Sequence, residues 1–349
     1  MEYRKFTYTI IIILIIDSSI FSKTVVCLSE TSCNCIHESE CDYVSKAKYF
    51  YKDLRILQPC ALPSADFYCC PSPIKTTISE RKCKEFSQIE NFCKEHHLIN
   101  RGKPVEPNEI SFIASIQMRD KSDEKSPWEW KCGGTLIDPK FVLTAAHCFE
   151  NIDTATTEIT VLLGAHNITE TTERNDYGRF NVTIKIHEDY FNSPFGDIAL
   201  LELGSAADIR TPRIRPACLP TSSGKEIKEF RAAGFGTTNG RDFPSALLQT
   251  TLMTKPIENC RLTEDTQLNE TLQFCAAPNG RTGGDVCPGD SGGPIFIEYP
   301  GRNDCLYAVM GIVSEGNFCN VDDPHTFHTR VWYYREWIES IVWPNEKNS

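Results

Sequence analysis

At 349 residues the chain is long for one domain and comfortable for two, and its 40% apolar content is enough to bury a sizeable core. A formal net charge of −11 argues against nucleic acid as the main partner, because phosphate binding needs concentrated Lys and Arg. Beyond that the charge speaks only to solubility. The first feature in chain order is an apolar stretch from Phe6 to Ile16, preceded by Arg4 and Lys5 and closed by Asp17. It is too short to cross a bilayer as a helix, which takes about twenty apolar residues, so no membrane partner is expected. Its charge and length are those of a secretory signal peptide over residues 1–22, which predicts a secreted, extracellular protein. Cleavage after Ser22 fits, and so does cleavage as late as Cys27, with Val25 as the small upstream residue.

Seventeen cysteines suit that route, since disulfides persist outside the cytosol. Seven of them, Cys27, Cys33, Cys35, Cys41, Cys60, Cys69 and Cys70, crowd into residues 27–71, a segment too small to bury much apolar surface without staples. Zinc is the competing use, but Cys69 and Cys70 are adjacent and no suitably spaced CxxC pair accompanies them. If Cys27 leaves with the signal, the remaining cysteines are even in number; if it stays, one is odd or pairs with another chain. Residues 72–98 read as a linker, with Pro73, two threonines and many charges, and Cys83 and Cys93 imply that part of it is tethered. Asn167, Asn181 and Asn269 begin N-glycosylation sequons, meaningful for a chain in the secretory pathway.

From Ile99 the pattern changes. Short β-rich runs such as Phe141-Val142-Leu143-Thr144 and Ile159-Thr160-Val161-Leu162-Leu163 alternate with Gly, Pro and Asn clusters, which predicts an all-β barrel architecture. The end differs. Tyr334, Ile338 and Val342 lie four apart, with Arg335, Glu336 and Glu339 elsewhere on the wheel, as in an amphipathic helix docked on the barrels.

Within this half, Gly289-Asp290-Ser291-Gly292-Gly293-Pro294 gives a serine hydroxyl the setting of a nucleophile. Flanking glycines let the backbone turn sharply and a substrate carbonyl approach, and the N–H groups of Gly289 and Ser291 can converge as an oxyanion hole. Serine is a poor nucleophile alone and needs a general base held by a third group. Thr144-Ala145-Ala146-His147-Cys148 supplies the histidine, and Gly196-Asp197-Ile198-Ala199 the aspartate. Read singly, each is more often a surface histidine, a turn aspartate or a loop serine. Together they stand in the chain order of the chymotrypsin-type triad, which decides for chemistry.

With these residues in hand, Ile99 to about Trp343 resembles a chymotrypsin-fold serine protease. The likeness is carried by Cys132-Gly133-Gly134-Thr135-Leu136, the His147 and Ser291 motifs, Pro216-Ala217-Cys218-Leu219-Pro220 and Gly234-Phe235-Gly236-Thr237. Residues 27–71 resemble a clip domain, the disulfide-knotted module that precedes many arthropod proteases. Cys35-x5-Cys41, Cys60 and Cys69-Cys70-Pro71 match its spacing, with Cys27 or Cys33 as its first cysteine. The whole is similar to clip-domain proteases of the Snake and Persephone branch.

That resemblance implies two six-stranded antiparallel barrels with a C-terminal helix over residues 99–343, behind a signal, a clip domain and a linker. It implies His147 as general base and acid, Asp197 as its orienter and Ser291 as nucleophile. It implies the pairings Cys132–Cys148, Cys260–Cys275, Cys287–Cys319 and Cys83–Cys218, and leaves Cys93 and Cys305 without a family partner. Asp285, six positions before Ser291, is like the acidic base of a trypsin-like pocket, whose wall includes Gly316. A carboxylate there selects Arg or Lys. Against it stand Phe318 and Thr326 where relatives carry small residues, and Glu315 where many carry Trp; bulk at the wall would favour small or medium apolar residues instead.

The resemblance further implies a zymogen cut at Leu98–Ile99, whose new α-ammonium pairs with Asp290. Asn100 and Arg101 replace the usual Val and Gly there. No cofactor or metal is required by the chemistry. Calcium is doubtful: Ala165 stands where calcium-binding relatives use Glu, and Glu170, Glu173 and Asp176 read as a solvated loop. The expected partners are a protein substrate, a downstream zymogen by resemblance, an upstream activating protease and a serpin-type inhibitor. A non-catalytic regulator that keeps the fold for binding is the alternative, and the presence of all three triad residues favours the enzyme.

Overall fold

The computed structural model describes residues 33–37, 67–71, 77–89, 105, 107–167, 178–193, 195–238, 243–260, 263, 269–279, 284–299, 306–316 and 324–347. The signal segment, Leu98, Ile99, Cys93, Cys305, Phe318, Cys319 and the acids Glu170, Glu173 and Asp176 lie outside them. Among the described residues no helix is long and apolar enough to cross a membrane.

The chain divides into two units at Ile74/Lys75. The first contains a two-stranded antiparallel sheet, β1 (Cys33–His37) with β2 (Phe67–Pro71). Its register sets Cys35 opposite Cys69 and Asn34 opposite Cys70, so the cysteine-rich ends of the segment meet in one ladder.

The second unit is built on two closed six-stranded antiparallel barrels. The first barrel takes β3 (Ile113–Asp120), β4 (Glu129–Asp138), β5 (Phe141–Thr144), β6 (Thr157–Leu163), β7 (Gly178–Ile186) and β8 (Ala199–Leu203) in the order β3-β4-β5-β8-β7-β6. The second takes β9 (Glu229–Gly234), β10 (Leu248–Lys255), β11 (Gln273–Pro278), β12 (Pro294–Glu298), β13 (Tyr307–Gly316) and β14 (Thr326–Arg330) in the order β10-β11-β14-β13-β12-β9. Closure removes the exposed edges that such strands would otherwise present. Ile116, Leu136, Leu143, Val161, Leu163 and Leu200 fill the first barrel, and Phe230, Leu252, Phe274 and Ile295 the second. Burying each such side chain contributes about 1.5–3 kcal/mol. Phe112 sits between them, edge-on to Phe296 at 5.2 Å.

The C-terminal helix, Arg335–Val342, follows a 3-10 turn at Val331–Tyr334. Tyr334, Ile338 and Val342 form its buried face, at 2%, 0% and 8% exposure. Glu339 departs from the expected polar face, being only 5% exposed. The reason is a second helix, Ile78–Ser87, inside what the sequence reads as a linker. Glu339 Oε1 accepts the N–H of Ser79 at 3.0 Å and its hydroxyl at 2.5 Å, in the first turn of that helix, where a carboxylate also meets the positive end of the helix dipole. The turn is closed by a reciprocal cap between Thr77 and Glu80. Ile78, Cys83 and Phe86 face inward, Arg81 and Lys82 pair with Glu346, and Cys83 is disulfide-bonded to Cys218. This helix is therefore part of the barrel body.

Replacing Glu339 by Ala would leave the buried Ser79 N–H without this acceptor, while the Ser79 hydroxyl keeps Thr77 at 3.2 Å, a cost of about 1–3 kcal/mol. The expected outcome is faster amide hydrogen exchange across residues 79–87 with the barrel strands unchanged. Unaltered exchange in that helix would show that Glu339 does not hold it.

Candidate active site

His147 stands where β5 gives way to a one-turn 3-10 helix, His147–Phe149. The residues before it, Thr144, Ala145 and Ala146, are fully buried and fix the exit of the chain. The Cys132–Cys148 disulfide ties that turn to β4. Asp197 precedes β8, the neighbour of β5 in the barrel, so the two residues emerge side by side. Asp197 Oδ2 lies 2.7 Å from His147 Nδ1, and Oδ1 accepts the His147 backbone N–H at 2.9 Å. The second barrel holds the aspartate too: the Ser314 hydroxyl donates to Oδ2 at 2.5 Å, and the Thr329 hydroxyl donates to its carbonyl at 2.9 Å.

Burial by itself pushes His147 down, but the hydrogen bond and charge of Asp197, with Glu150 and Glu315, carry it above its ordinary 6.5. Burial likewise pushes Asp197 up, and His147 and Ser314 together hold it below the usual carboxylate range. The pair is thus poised so that the ring, once it takes a proton, stays charged beside an ionised carboxylate. The Cys132 and Cys148 sulfurs lie near His147 with metal-like proximity. Both are oxidised to one disulfide, which leaves no thiolate to bind a metal.

Ser291 sits in the loop before β12, half-buried. Its carbonyl accepts the Gly133 N–H at 2.7 Å, and the Gly292 N–H donates to Val313 at 2.8 Å. Gly133 is in β4 and Val313 in β13, so the loop is gripped from both barrels. Among the described residues the Ser291 hydroxyl makes no hydrogen bond, and its link to His147 is open. Gly289, with φ +102°, offers its N–H just before it.

The Asp290 carboxylate accepts the N–H groups of Gly236 at 2.8 Å and Cys287 at 2.9 Å. A Cβ on Gly236 would collide with that carboxylate, so only glycine allows so close a wall. Burial pushes Asp290 up to about 6, with Asp285 adding to the rise against the two N–H donors.

Asp285 is half-buried, and its Oδ1 accepts the Val286 N–H at 2.8 Å. Gly316 pairs with Thr326 across β13 and β14. The Thr326 methyl lies where a Cβ on Gly316 would be only 2.5 Å from it. Beneath, His328 Nε2 sits 3.0 Å from the Thr326 hydroxyl, and complete burial pushes His328 down to about 3, leaving it neutral. Cys260–Cys275 and Cys83–Cys218 are formed, and Cys287 is disulfide-bonded to a partner outside the described residues. Of the sequons, Asn181 is exposed on β7, and Asn269 Oδ1 accepts the Thr271 N–H at 3.0 Å. Ser314, Thr329 and Trp130 were not found by sequence reasoning. Only Ser314 carried a signal, as a hydroxyl beside Glu315 and Gly316.

The opposed effects on His147 make a direct test. An NMR titration of its ring should show a midpoint above 6.5 in the parent. In Asp197→Asn, burial acts unopposed by that carboxylate and the midpoint should fall below its parent value. An unchanged midpoint would mean that Asp197 does not set the charge of His147.

Residues 99–338 match the family model described as Trypsin. The chain is 37% identical over 233 residues to serine protease Hayan of Drosophila melanogaster, a match covering 62% of this chain and 35% of Hayan. It is 31% identical over 306 residues to serine protease snk of the same organism, covering 78% and 68% of the two chains. It is 33% identical over 300 residues to the proclotting enzyme of Tachypleus tridentatus, covering 77% of each. The chain thus spans about a third of the length of Hayan and larger shares of the other two. The matched stretch contains both barrels and the whole site, and the chain belongs to the trypsin family.

Proposed function

We propose that the chain is a secreted serine endopeptidase zymogen that acts in an extracellular proteolytic cascade. The observation that carries the reading is the His147–Asp197 pair, ring nitrogen to carboxylate at 2.7 Å, set in the same inter-barrel seam as the Ser291 loop. Ser291 Oγ attacks a peptide carbonyl carbon while His147 Nε2 takes its proton. The N–H groups of Gly289 and Ser291 receive the oxyanion. His147 then returns the proton to the leaving amine, and water releases the acyl group by the same route. No step needs a metal or cofactor. Asp197 keeps the Nδ1 side of the ring occupied, so that Nε2 is the nitrogen left for chemistry.

Activation is read as cleavage at Leu98–Ile99, after which the new α-ammonium pairs with Asp290. The pKa of Asp290, raised to about 6 by burial, supports this: a buried carboxylate held by two N–H groups gains most from an incoming cation. The Cys83–Cys218 disulfide would keep the front segment joined to the protease afterwards. The front segment is read as a clip domain, which the ladder between Cys33–His37 and Phe67–Pro71 supports. An upstream protease, a downstream zymogen as substrate and a serpin-type inhibitor would be its partners.

Asp285 favours cleavage after Arg, with Lys second because its point charge lacks the planar fork. One observation favours a second reading: the Thr326 methyl packs against Gly316, 2.5 Å from where a Cβ there would be, and bulk at that wall would select small or medium apolar residues.

Ser291→Ala should lower kcat of the cleaved chain by roughly a millionfold while folding and secretion survive; activity within a few-fold of the parent would end the serine mechanism. A substrate library on the cleaved chain separates the two specificities. Preference for Arg that Asp285→Ser abolishes supports the first, and an apolar preference that Asp285→Ser leaves alone supports the second.

A further inference from the structure

Besides the Gly133 N–H on the Ser291 carbonyl, a second hydrogen bond from the first barrel ends on a carbonyl of that loop. Trp130, near the start of β4, donates its indole N–H to the Gly289 carbonyl at 2.8 Å. The same ring packs edge-on against Phe235, with centroids 5.0 Å apart. Phe235 lies between Gly234 and Gly236, and Gly236 is the residue whose N–H holds Asp290. The indole therefore touches both the loop of the nucleophile and the segment that cradles the neighbouring carboxylate.

The Gly289 carbonyl belongs to the peptide whose N–H is that of Asp290, and this N–H donates to the Cys287 carbonyl at 2.9 Å. One peptide plane is thus held at both ends, its nitrogen by its own loop and its oxygen by a side chain from the other barrel. The φ of Gly289, +102°, is one that glycine tolerates and other residues avoid. Gly289's own N–H belongs to the preceding peptide, whose Pro288 carbonyl accepts the Thr237 N–H at 2.9 Å, so with the following plane also held, rotation at the Gly289 α-carbon, which glycine alone would leave free, is restrained from both sides. Crowding by Phe243 and Gly236, at 3.0 and 3.1 Å from where a Cβ would be, adds a packed wall.

We propose that Trp130 is a positioning residue for the oxyanion hole, holding the Gly289–Asp290 peptide and so restraining the rotation at the Gly289 α-carbon that would swing the Gly289 N–H away from the substrate. This rests on the reading of Gly289 and Ser291 as oxyanion donors. An indole N–H suits the task, since it only donates and does not titrate. The grip therefore persists across the range in which His147 gains and loses its proton. The edge-on contact with Phe235 orders the ring in advance, so little freedom is lost when the hydrogen bond forms.

Trp130→Phe in the full chain, cleaved at Leu98–Ile99 and still disulfide-joined, keeps an aromatic ring and removes the donor. Deleting a whole oxyanion donor costs roughly a hundredfold or more in kcat, so loosening one should cost about tenfold, with KM moving less than about twofold. A peptide aldehyde, whose adduct with Ser291 carries the oxyanion, should lose affinity in parallel with kcat, while a product peptide binding non-covalently should not. Trp130→His, which can restore a donor, should recover part of the loss. The inference is overturned if Trp130→Phe keeps kcat within twofold, or if aldehyde and product weaken together, as general loosening would produce. An inactive parent would sink the protease reading and this inference with it. A fully active parent beside an unaffected Trp130→Phe sinks the inference alone.

Discussion

Two closed barrels have no free strand edges with which to pair, so groups that must act together across them are joined by side chains and single backbone hydrogen bonds. The site depends on that seam. His147 and Asp197 leave the first barrel beside β5 and β8, and Ser291 enters the second just before β12. Gly133 and Trp130 reach from the first barrel to the Ser291 and Gly289 carbonyls. Ser314 and Thr329 reach back from the second barrel to Asp197. Between them, Phe112 packs on Phe296 and Tyr307, at 5.2 and 5.4 Å, and sets how closely the barrels approach. Donors thus run in both directions, so a shift of either barrel would disturb the Ser291 loop and Asp197 together.

The seam also holds two carboxylates whose proton affinities are pushed in opposite directions. Both are desolvated, which alone would push each up. Asp197 meets His147 and a hydroxyl and is carried below its usual range, whereas Asp290, among the described residues, meets backbone N–H groups and a like charge, and rises to about 6. Difference of partner, with similar burial, separates a group fit to orient a base from one suited to receive a cation. The same physics bears on the Ser291 hydroxyl, which is placed but not yet bonded to the ring. Catalytic hydrogen bonds that are open in a substrate-free enzyme often close when substrate arrives.

How much of this was legible in the sequence follows the range of each interaction. Phe141–Thr144 and Ile159–Leu163 announced strands because apolar β-formers between turn residues carry their own signal, and both lie within strands of the first barrel. The Tyr334, Ile338 and Val342 face was equally readable from its period. Glu339 was not, since its burial depends on Ser79, distant in the chain but adjacent in space. The Ile78–Ser87 helix had a signal that went unread: Thr77 followed three residues later by Glu80 is a capping box. The motifs located His147, Asp197 and Ser291, but of the groups that hold them, Trp130 and Thr329 are single residues with no local pattern, and Ser314 has only its place beside Glu315 and Gly316. Only the fold brings them to the seam.

Covalent labelling tests the central claim most directly. The chain cleaved at Leu98–Ile99 would be treated with a small fluorophosphonate, the adduct mapped by peptide mass spectrometry, and the rate compared with that of His147→Ala. A single adduct on Ser291 is expected, forming at least about a thousandfold more slowly without the His147 ring. An adduct elsewhere, none at all, or one on Ser291 whose rate ignores His147 would contradict a base-activated serine in this seam.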